Sequence, residues 1–171
     1  MPKSSLTIEQ IQGVLADTPR RLATVTAGLD PAILRTVPGP DEWSANDVLA
    51  HLRSCADVWG DCMERIVRED RPTLRAINPQ AWITRTNYPD LEFRPSLRAF
   101  DVQRADLLAF LEALTPADWS RSATVVGAGS PLERSVLTYA QRLARHERPH
   151  VIQIERIVGT LRSVPHETDG Y

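Results

Sequence analysis

The sequence predicts an all-α protein, a four-helix bundle with long connections. Four stretches, near residues 7–28, 44–70, 96–114 and 133–161, carry apolar residues at alternating spacings of three and four, the pattern of helices that pack lengthwise. Proline-rich segments separate these stretches and cannot continue a helix. Strand-like alternation is weak, and the ATVV segment at 123–126 is too short and isolated to build a sheet. No sheet of consequence is therefore expected.

Length and composition predict one ordinary domain. The chain has 171 residues, of which 42% are hydrophobic and 25% are charged, enough for a core that needs no disulfide. We expect residues 6–161 to form this core and residues 162–171 to form a tail. A formal net charge of −2 gives no electrostatic reason to expect a nucleic acid or an anionic membrane as a partner.

No segment resembles a signal peptide or a membrane span. No uncharged apolar run approaches the ~20 residues that cross a bilayer. Cys55 and Cys62 lie in one predicted helix, roughly 10 Å apart at the helical rise, which is too far for a disulfide. Both are expected to be reduced, and Cys55 to be a core residue one turn after His51. These features predict a cytoplasmic protein.

Capping residues mark the start of the first two helices. Thr7 with Gln10 forms the pattern of a capping box, and Ser44 with Asp47 does the same for the second helix. Pro19 falls inside the first periodic stretch, where it is expected to kink or split the helix.

The connection at residues 72–95 is the least regular part of the chain. Its prolines and asparagines allow at most a short helix. Connections of this length are usually functional or serve as crossovers. Trp82 and Tyr88 either line a pocket or fix the connection to the bundle, and the sequence leaves both open. Ser96 is the expected cap of the third helix.

The fourth helix carries the residues of greatest chemical interest. His146 and His150 stand four residues apart, a spacing that stacks both imidazoles on one helix face. His51 borders the buried stripe of the second helix, so three histidines from two packed helices could form a metal site. An ordinary, partly buried histidine pair is the alternative. His166 lies in the tail and is not expected to take part.

Two polar neighbours of these histidines are expected to have lesser roles. Glu147 points about 100° around the helix from His146, so it is a poor fourth ligand. It could support the ligands from behind or form an ion pair, and an ordinary surface position is expected. Gln153 lies three residues after His150 and either orients that imidazole or is structural.

The order of several segments resembles the DinB-like superfamily. These segments are PGPDEWSANDVLAHL, a Trp-bearing helix, a DWSR segment after the third helix, and YAQRLARHERPHVIQIERI. The resemblance extends from about Leu6 to Leu161. The superfamily includes the damage-inducible DinB proteins and thiol-dependent transferases such as mycothiol-dependent maleylpyruvate isomerase.

The resemblance implies a four-helix bundle, often a homodimer, in which three histidines hold a divalent metal. These ligands carry over to His51, His146 and His150. Nickel, zinc, iron and manganese all suit imidazole, and the sequence does not choose among them. Pro149 departs from the family pattern because it lacks a backbone amide hydrogen. A kink there would move His150 by about an ångström or more.

Two functional interpretations follow. In the first, the chain is a metal-dependent thiol transferase or hydrolase, which acts on a small electrophile with a low-molecular-weight thiol or water at an open metal position. In the second, it is a non-catalytic bundle with a structural ion or none, acting as a binding or stress-related protein. Metal ligands must be unprotonated, so metal binding is expected to weaken as the pH falls through about 6.

Overall fold

Four long helices form a bundle in residues 5–163, the part of the chain that the computed structural model describes. They are α1 (Ile8–Val25), α3 (Ala45–Arg68), α5 (Phe93–Glu112) and α7 (Val136–Arg162). The connections contain the short helices α2 (Pro31–Arg35), α4 (Pro79–Ile83) and α6 (Pro116–Ser120), and a 3-10 turn at Tyr88–Asp90. The predicted all-α, four-helix bundle is confirmed. Among the described helices, none is long and apolar enough to cross a membrane.

Both predicted capping boxes are present. The Gln10 amide donates to Thr7 Oγ1 at 3.2 Å, and the Thr7 amide donates to Gln10 Oε1 at 2.9 Å. Ser44 and Asp47 form the same reciprocal pair at the start of α3. Pro19 lies inside α1, which continues through it as one helix, so the predicted split is wrong. The apolar packing of both flanking turns holds the helix together across the missing hydrogen bond.

A small three-stranded sheet covers one end of the bundle and corrects the expectation for the ATVV segment. Strand β2 (Ser122–Val126) contains that segment and lies at the centre of the sheet. It pairs in parallel with β1 (Thr73–Arg75) and antiparallel with β3 (Leu132–Ser135). The strand is therefore not isolated, because its parallel partner comes from the long connection after α3. Gly127, at φ 91°, adopts the left-handed conformation after β2.

Two helices begin at different residues from those predicted. Helix α5 begins at Phe93, and Ser96 is a buried residue of its first turn that accepts a hydrogen bond from Arg53 at 3.0 Å. Helix α7 begins at Val136, because the preceding residues pair as β3 and Ser135 caps the helix by accepting from the Thr138 amide.

The long connection is fixed to α3 through the carboxylate of Asp57. Trp82 Nε1 and the Tyr88 hydroxyl both donate to Asp57 Oδ2, at 3.1 and 2.7 Å. The Arg53 guanidinium lies 3.7 Å from the centre of the Tyr88 ring, a cation–π contact. Of the two roles left open for Trp82 and Tyr88, these bonds support attachment of the connection to the bundle.

The apolar core consists of two clusters with a polar layer between them. On three of the long helices, a buried polar side chain separates the residues of one cluster from those of the other. These side chains are Thr18 on α1, Arg104 on α5 and Glu147 on α7. The polar layer therefore crosses the bundle at one level, near the middle of each helix.

A buried ion pair forms the centre of this layer. Arg104 and Glu147 are 1% and 0% exposed, and they form a bidentate pair in which Nη1 lies 2.8 Å from Oε2 and Nη2 contacts Oε1. Thr18 Oγ1 also donates to Glu147 Oε2 at 2.8 Å, and Arg104 Nη1 donates to the Leu15 carbonyl. An ion pair was one of the roles considered for Glu147, but its expected surface position is wrong, because that face of α7 packs against α1 and Arg104 reaches it from α5.

Removal of one partner of this pair should destabilise the metal-free protein strongly. Glu147→Ala leaves the Arg104 guanidinium buried without a counter-charge, so we expect the free energy of unfolding to fall by about 3–5 kcal/mol. Urea denaturation in the presence of a chelator measures this loss. The double variant Arg104→Met, Glu147→Leu should be less destabilised than either single variant, because no buried charge is left unpaired.

The exposed pair of Arg21 and Glu155 provides a matched control. Like the buried pair, it joins another helix to α7, in this case α1, with 2.5 Å between Arg21 Nη2 and Glu155 Oε1. Both of its side chains, however, are more than a third exposed. Glu155→Ala should therefore cost only about 0–1 kcal/mol. Equal losses of unfolding free energy in Glu147→Ala and Glu155→Ala would show that burial does not determine the cost of breaking the pair.

Candidate metal centre

Helices α3 and α7 pack together and bring three histidines to one point. His51 lies near the N-terminal end of α3, on the face that carries its buried residues. His146 and His150 lie one turn apart in the middle of α7. Helix α7 continues through Pro149 without interruption, so the proline does not separate the two imidazoles. His166 lies outside the residues that the structure describes.

The Nε2 atoms of the three histidines converge. His51 Nε2 lies 2.8 Å from His146 Nε2, which lies 3.2 Å from His150 Nε2. An ion bound about 2.05 Å from each nitrogen would separate two ligand atoms by about 3.3 Å in tetrahedral geometry and by about 2.9 Å in octahedral geometry. These two separations are compatible with a shared divalent ion. Among the described residues, the group whose ligand atoms all lie within 4.8 Å of one another consists of His51, Cys55 and His146, and does not include His150.

The hydrogen bond of His150 leaves its Nε2 atom available as a ligand. His150 Nδ1 lies 2.8 Å from Gln153 Oε1, and the amide oxygen can only accept, so Nδ1 carries the proton. In the neutral ring the Nε2 lone pair then points to the centre, as in metal sites where a polar neighbour fixes the ligand tautomer. Gln153 therefore orients the imidazole, one of the two roles considered for it.

Two indoles enclose the histidines. The Trp43 ring is almost parallel to that of His150, at an interplanar angle of 11° and a centroid distance of 6.4 Å. It also meets the edge of His51, at 5.3 Å. Trp59 meets the edge of His146 at 5.2 Å. These walls hold the imidazoles and limit the access of water. Trp43 was not among the site residues predicted from the sequence, although its position directly before the Ser44 cap places it at the N-terminal end of α3.

Burial keeps two of the imidazoles in the neutral form that binds metal. It lowers the pKa of His51 and of His146 from 6.5 to about 4, and the charge of protonated His150 lowers both further. His51 Nδ1 is buried and has no hydrogen-bond partner among the described residues. The centre is thus built from neutral donors in a site that disfavours their protonation.

Cys55 is a further potential donor. Its Sγ atom lies 3.6 Å from His51 Nε2, close to the separation of about 3.6 Å expected for a nitrogen and a sulfur on one tetrahedral ion. The ligand atoms of His51, Cys55 and His146 all lie within 4.8 Å of one another. Burial and the nearby Glu147 carboxylate raise the pKa of Cys55 to about 12, which favours the protonated thiol. Cys55 is a core residue, as predicted, and it borders the centre.

Two cavities reach the histidines from different sides. One, of about 490 Å³, opens beside His150 and is lined by Asp41, Glu42, Trp43 and Arg156, among others. The other, of about 430 Å³, opens beside His146 and is lined largely by arginine and small polar residues of α7. A small molecule can therefore approach the centre from solvent.

Comparison with known proteins gives consistent matches over most of the chain. A protein of Geobacillus kaustophilus (strain HTA426), named "Putative metal-dependent hydrolase GK0616", is 29% identical over 153 residues, which cover 86% of this chain and 79% of that protein. A "Putative metal-dependent hydrolase" of Geobacillus thermodenitrificans (strain NG80-2) is 25% identical over 146 residues, which cover 82% and 78%.

The fold has a solved counterpart. The structure of YfiT from Bacillus subtilis, described as a probable metal-dependent hydrolase with an unusual four-helix bundle topology, superimposes with a TM-score of 0.75 at 18% sequence identity. The match covers 92% of this chain and 90% of that structure. The model of the DinB superfamily matches residues 15–154. Since this match spans most of the bundle, including all three converging histidines, the chain belongs to the DinB superfamily.

Proposed function

We propose that this protein is a metal-dependent hydrolase in which His51, His146 and His150 hold one divalent ion. The observation that carries the proposal is the short distance of His146 Nε2 from the Nε2 atoms of His51 and His150, 2.8 and 3.2 Å. The two Geobacillus relatives, whose names describe metal-dependent hydrolases, support it. The ion is divalent, and nickel, zinc, iron or manganese would suit three imidazoles.

Three protein ligands leave coordination positions free for water and substrate, as in catalytic rather than structural sites. His51, His146 and His150 would hold the ion, which would supply a lowered pKa for bound water and polarisation of a substrate carbonyl or phosphoryl group. Gln153 orients His150, and the indoles of Trp43 and Trp59 exclude bulk water. Glu147 is not available as a general base, because Arg104 and Thr18 occupy both of its oxygens.

The family resemblance supports two further proposals. A low-molecular-weight thiol in place of water would make the protein a thiol transferase, and two copies of the chain would form a homodimer. We also propose a cytoplasmic protein with a single domain. Ligation by Cys55 is the competing arrangement at the centre itself, since a fourth protein donor would close the site and make the ion structural.

Replacement of any one of the three histidines should remove the metal. We expect about one ion per chain in the purified protein without a tag, and a large loss of it in His51→Ala, His146→Ala and His150→Ala, measured by elemental analysis. The melting temperature of the metal-loaded protein should fall as well, because an ion at 100 times its dissociation constant stabilises the folded state by about 2.7 kcal/mol.

Two control variants test the donor set. His166→Ala should keep the full metal content. Cys55→Ser should also keep it, and the cobalt-substituted protein should show no thiolate-to-cobalt absorption band. A Cys55→Ser variant that loses its metal would show that Cys55 is a ligand. A His150→Ala variant that retains its metal would show that His150 is not a required ligand.

The metal-free protein should lose stability as the pH falls from about 6.5 towards about 4. In this window the unfolded chain protonates His51 and His146, whose pKa values are about 4 in the folded state, so the unfolded state binds more protons. The stability that comes from keeping His51 and His146 neutral is fully present above the ordinary histidine pKa of 6.5, and it is lost as the pH falls to their folded-state pKa of about 4. Thermal melts in chelator at several pH values measure the slope.

The double variant His51→Gln, His146→Gln is the control for this pH profile. It should give a flatter profile between the same two pH values, because the two titrating groups are absent. A slope equal to that of the wild-type protein would show that other groups cause the acid sensitivity.

Catalysis should depend on both the metal and its ligands. We expect hydrolysis of small esters or amides to vanish with a chelator, return on addition of a divalent ion, and be absent in His150→Ala. A parallel assay combines small thiols with 1-chloro-2,4-dinitrobenzene. Activity in this assay alone would favour thiol transfer over hydrolysis. No activity in either assay, with the metal present, would favour the non-catalytic bundle.

A further inference from the structure

A groove beside the metal centre combines an apolar floor with two arginines at its rim. It lies between α3, the sheet and the first turns of α7, and its volume is about 430 Å³. Val58, Trp59 and Val125 are among its apolar lining residues, and Arg134 and Arg142 supply its charge. The same two arginines line the cavity that reaches His146. The groove and the metal centre are therefore neighbours.

The charge of this groove is of one sign. Neither the groove nor the adjoining cavity has an aspartate or glutamate among its described lining residues. This is not a consequence of a basic protein, because the chain has 20 Lys and Arg against 22 Asp and Glu. The cavity on the other side of the centre, beside His150, is lined by Asp41 and Glu42 as well as by Arg156.

Arg134 and Arg142 have no carboxylate partner among the described residues. The ion pairs within residues 5–163 involve other arginines, such as Arg104 and Arg65. The Arg142 guanidinium instead lies 4.9 Å from the centre of the Trp59 ring, and Trp59 contacts His146. Two guanidinium groups without counter-ions beside an apolar floor form a site that an anion would complete.

We propose that Arg134 and Arg142 bind the anionic group of the substrate, a carboxylate or phosphate, while its apolar part packs on Trp59 and the groove floor. This inference rests on the proposed function for the reaction that follows, but binding itself requires no catalysis. The substrate class is then a small, apolar oxyanion whose reactive group reaches the centre past His146. Arg134 and Arg142 determine specificity and are not themselves ligands of the metal.

Calorimetric titration of the purified full-length protein with three probes tests the proposal. The probes are benzoate, phenyl phosphate and neutral benzamide, which share one ring. We expect at least one anion to bind about 10-fold or more tightly than benzamide, since a charge-assisted contact to each guanidinium is lost in the amide. The tighter of the two anions identifies the oxyanion. Equal binding of all three probes would overturn the proposal.

Charge-neutral variants assign the binding to the groove. Arg134→Gln and Arg142→Gln should each weaken binding of the anion about 10-fold and leave benzamide unaffected. Arg148→Gln, an exposed position of α7 outside this groove, should bind the anion as the wild-type protein does. An equal loss in Arg148→Gln would indicate a general effect of charge, and an unchanged affinity in the other two variants would indicate another site.

Alkylation of Cys62 gives a second readout that needs neither metal nor turnover. Cys62 lines the groove and is half-buried, whereas Cys55 is fully buried. The bound anion should slow the reaction of Cys62 with iodoacetamide, and benzamide at the same concentration should not. Unaltered labelling would overturn the proposal. If the protein takes up no metal but binds the anion through these arginines, this inference stands and the proposed function fails. If the protein hydrolyses esters or amides but does not bind the anion through these arginines, the proposed function stands and this inference fails.

Discussion

The buried pair of Arg104 and Glu147 is the constraint on which the rest of the structure depends. It joins α5 to α7, and the Thr18 hydroxyl and Leu15 carbonyl extend it to α1. Glu147 directly follows His146, so fixing its carboxylate towards α1 and α5 turns the neighbouring imidazole, about 100° around the helix, towards α3. A shift of α7 by one turn would leave a buried charge unpaired. We infer that the pair adds little net stability and instead specifies the register of α7 that brings the histidines to α3.

Local signals in the sequence predicted the features that depend on a few neighbouring residues. Helical periodicity found the four long helices, and the capping boxes at Thr7 and Ser44 gave two helix starts correctly. The spacing of His146 and His150 put both on one face by helix geometry alone. The proximity of His51 depends on how α3 packs on α7. Its place beside the buried stripe of α3 made this packing possible, and the family resemblance implied it.

The features that were missed depend on partners that are distant in sequence. β2 seemed isolated because its parallel partner lies about 50 residues earlier, in the long connection. Glu147 was expected on the surface, whereas it lies within the single stripe of buried residues on α7, between Leu143 and Val151 along the helix. One signal was available: Arg104 falls between Phe100 and Leu107 in the apolar stripe of α5, and a charged residue in a buried stripe requires a buried counter-charge.

The surroundings of the metal centre differ in charge from one side to the other. Three neutral imidazoles do not cancel the charge of a divalent ion, so the site would remain electropositive when loaded. On the His146 side, Arg134 and Arg142 add to this potential, and no acidic residue within residues 5–163 lines the groove. On the His150 side, carboxylates line the cavity and reduce the potential. An anion would therefore be drawn to the centre along the arginine-lined side. If the groove binds the substrate anion as proposed, this asymmetry would give the substrate one direction of approach and determine which end of it meets the ion.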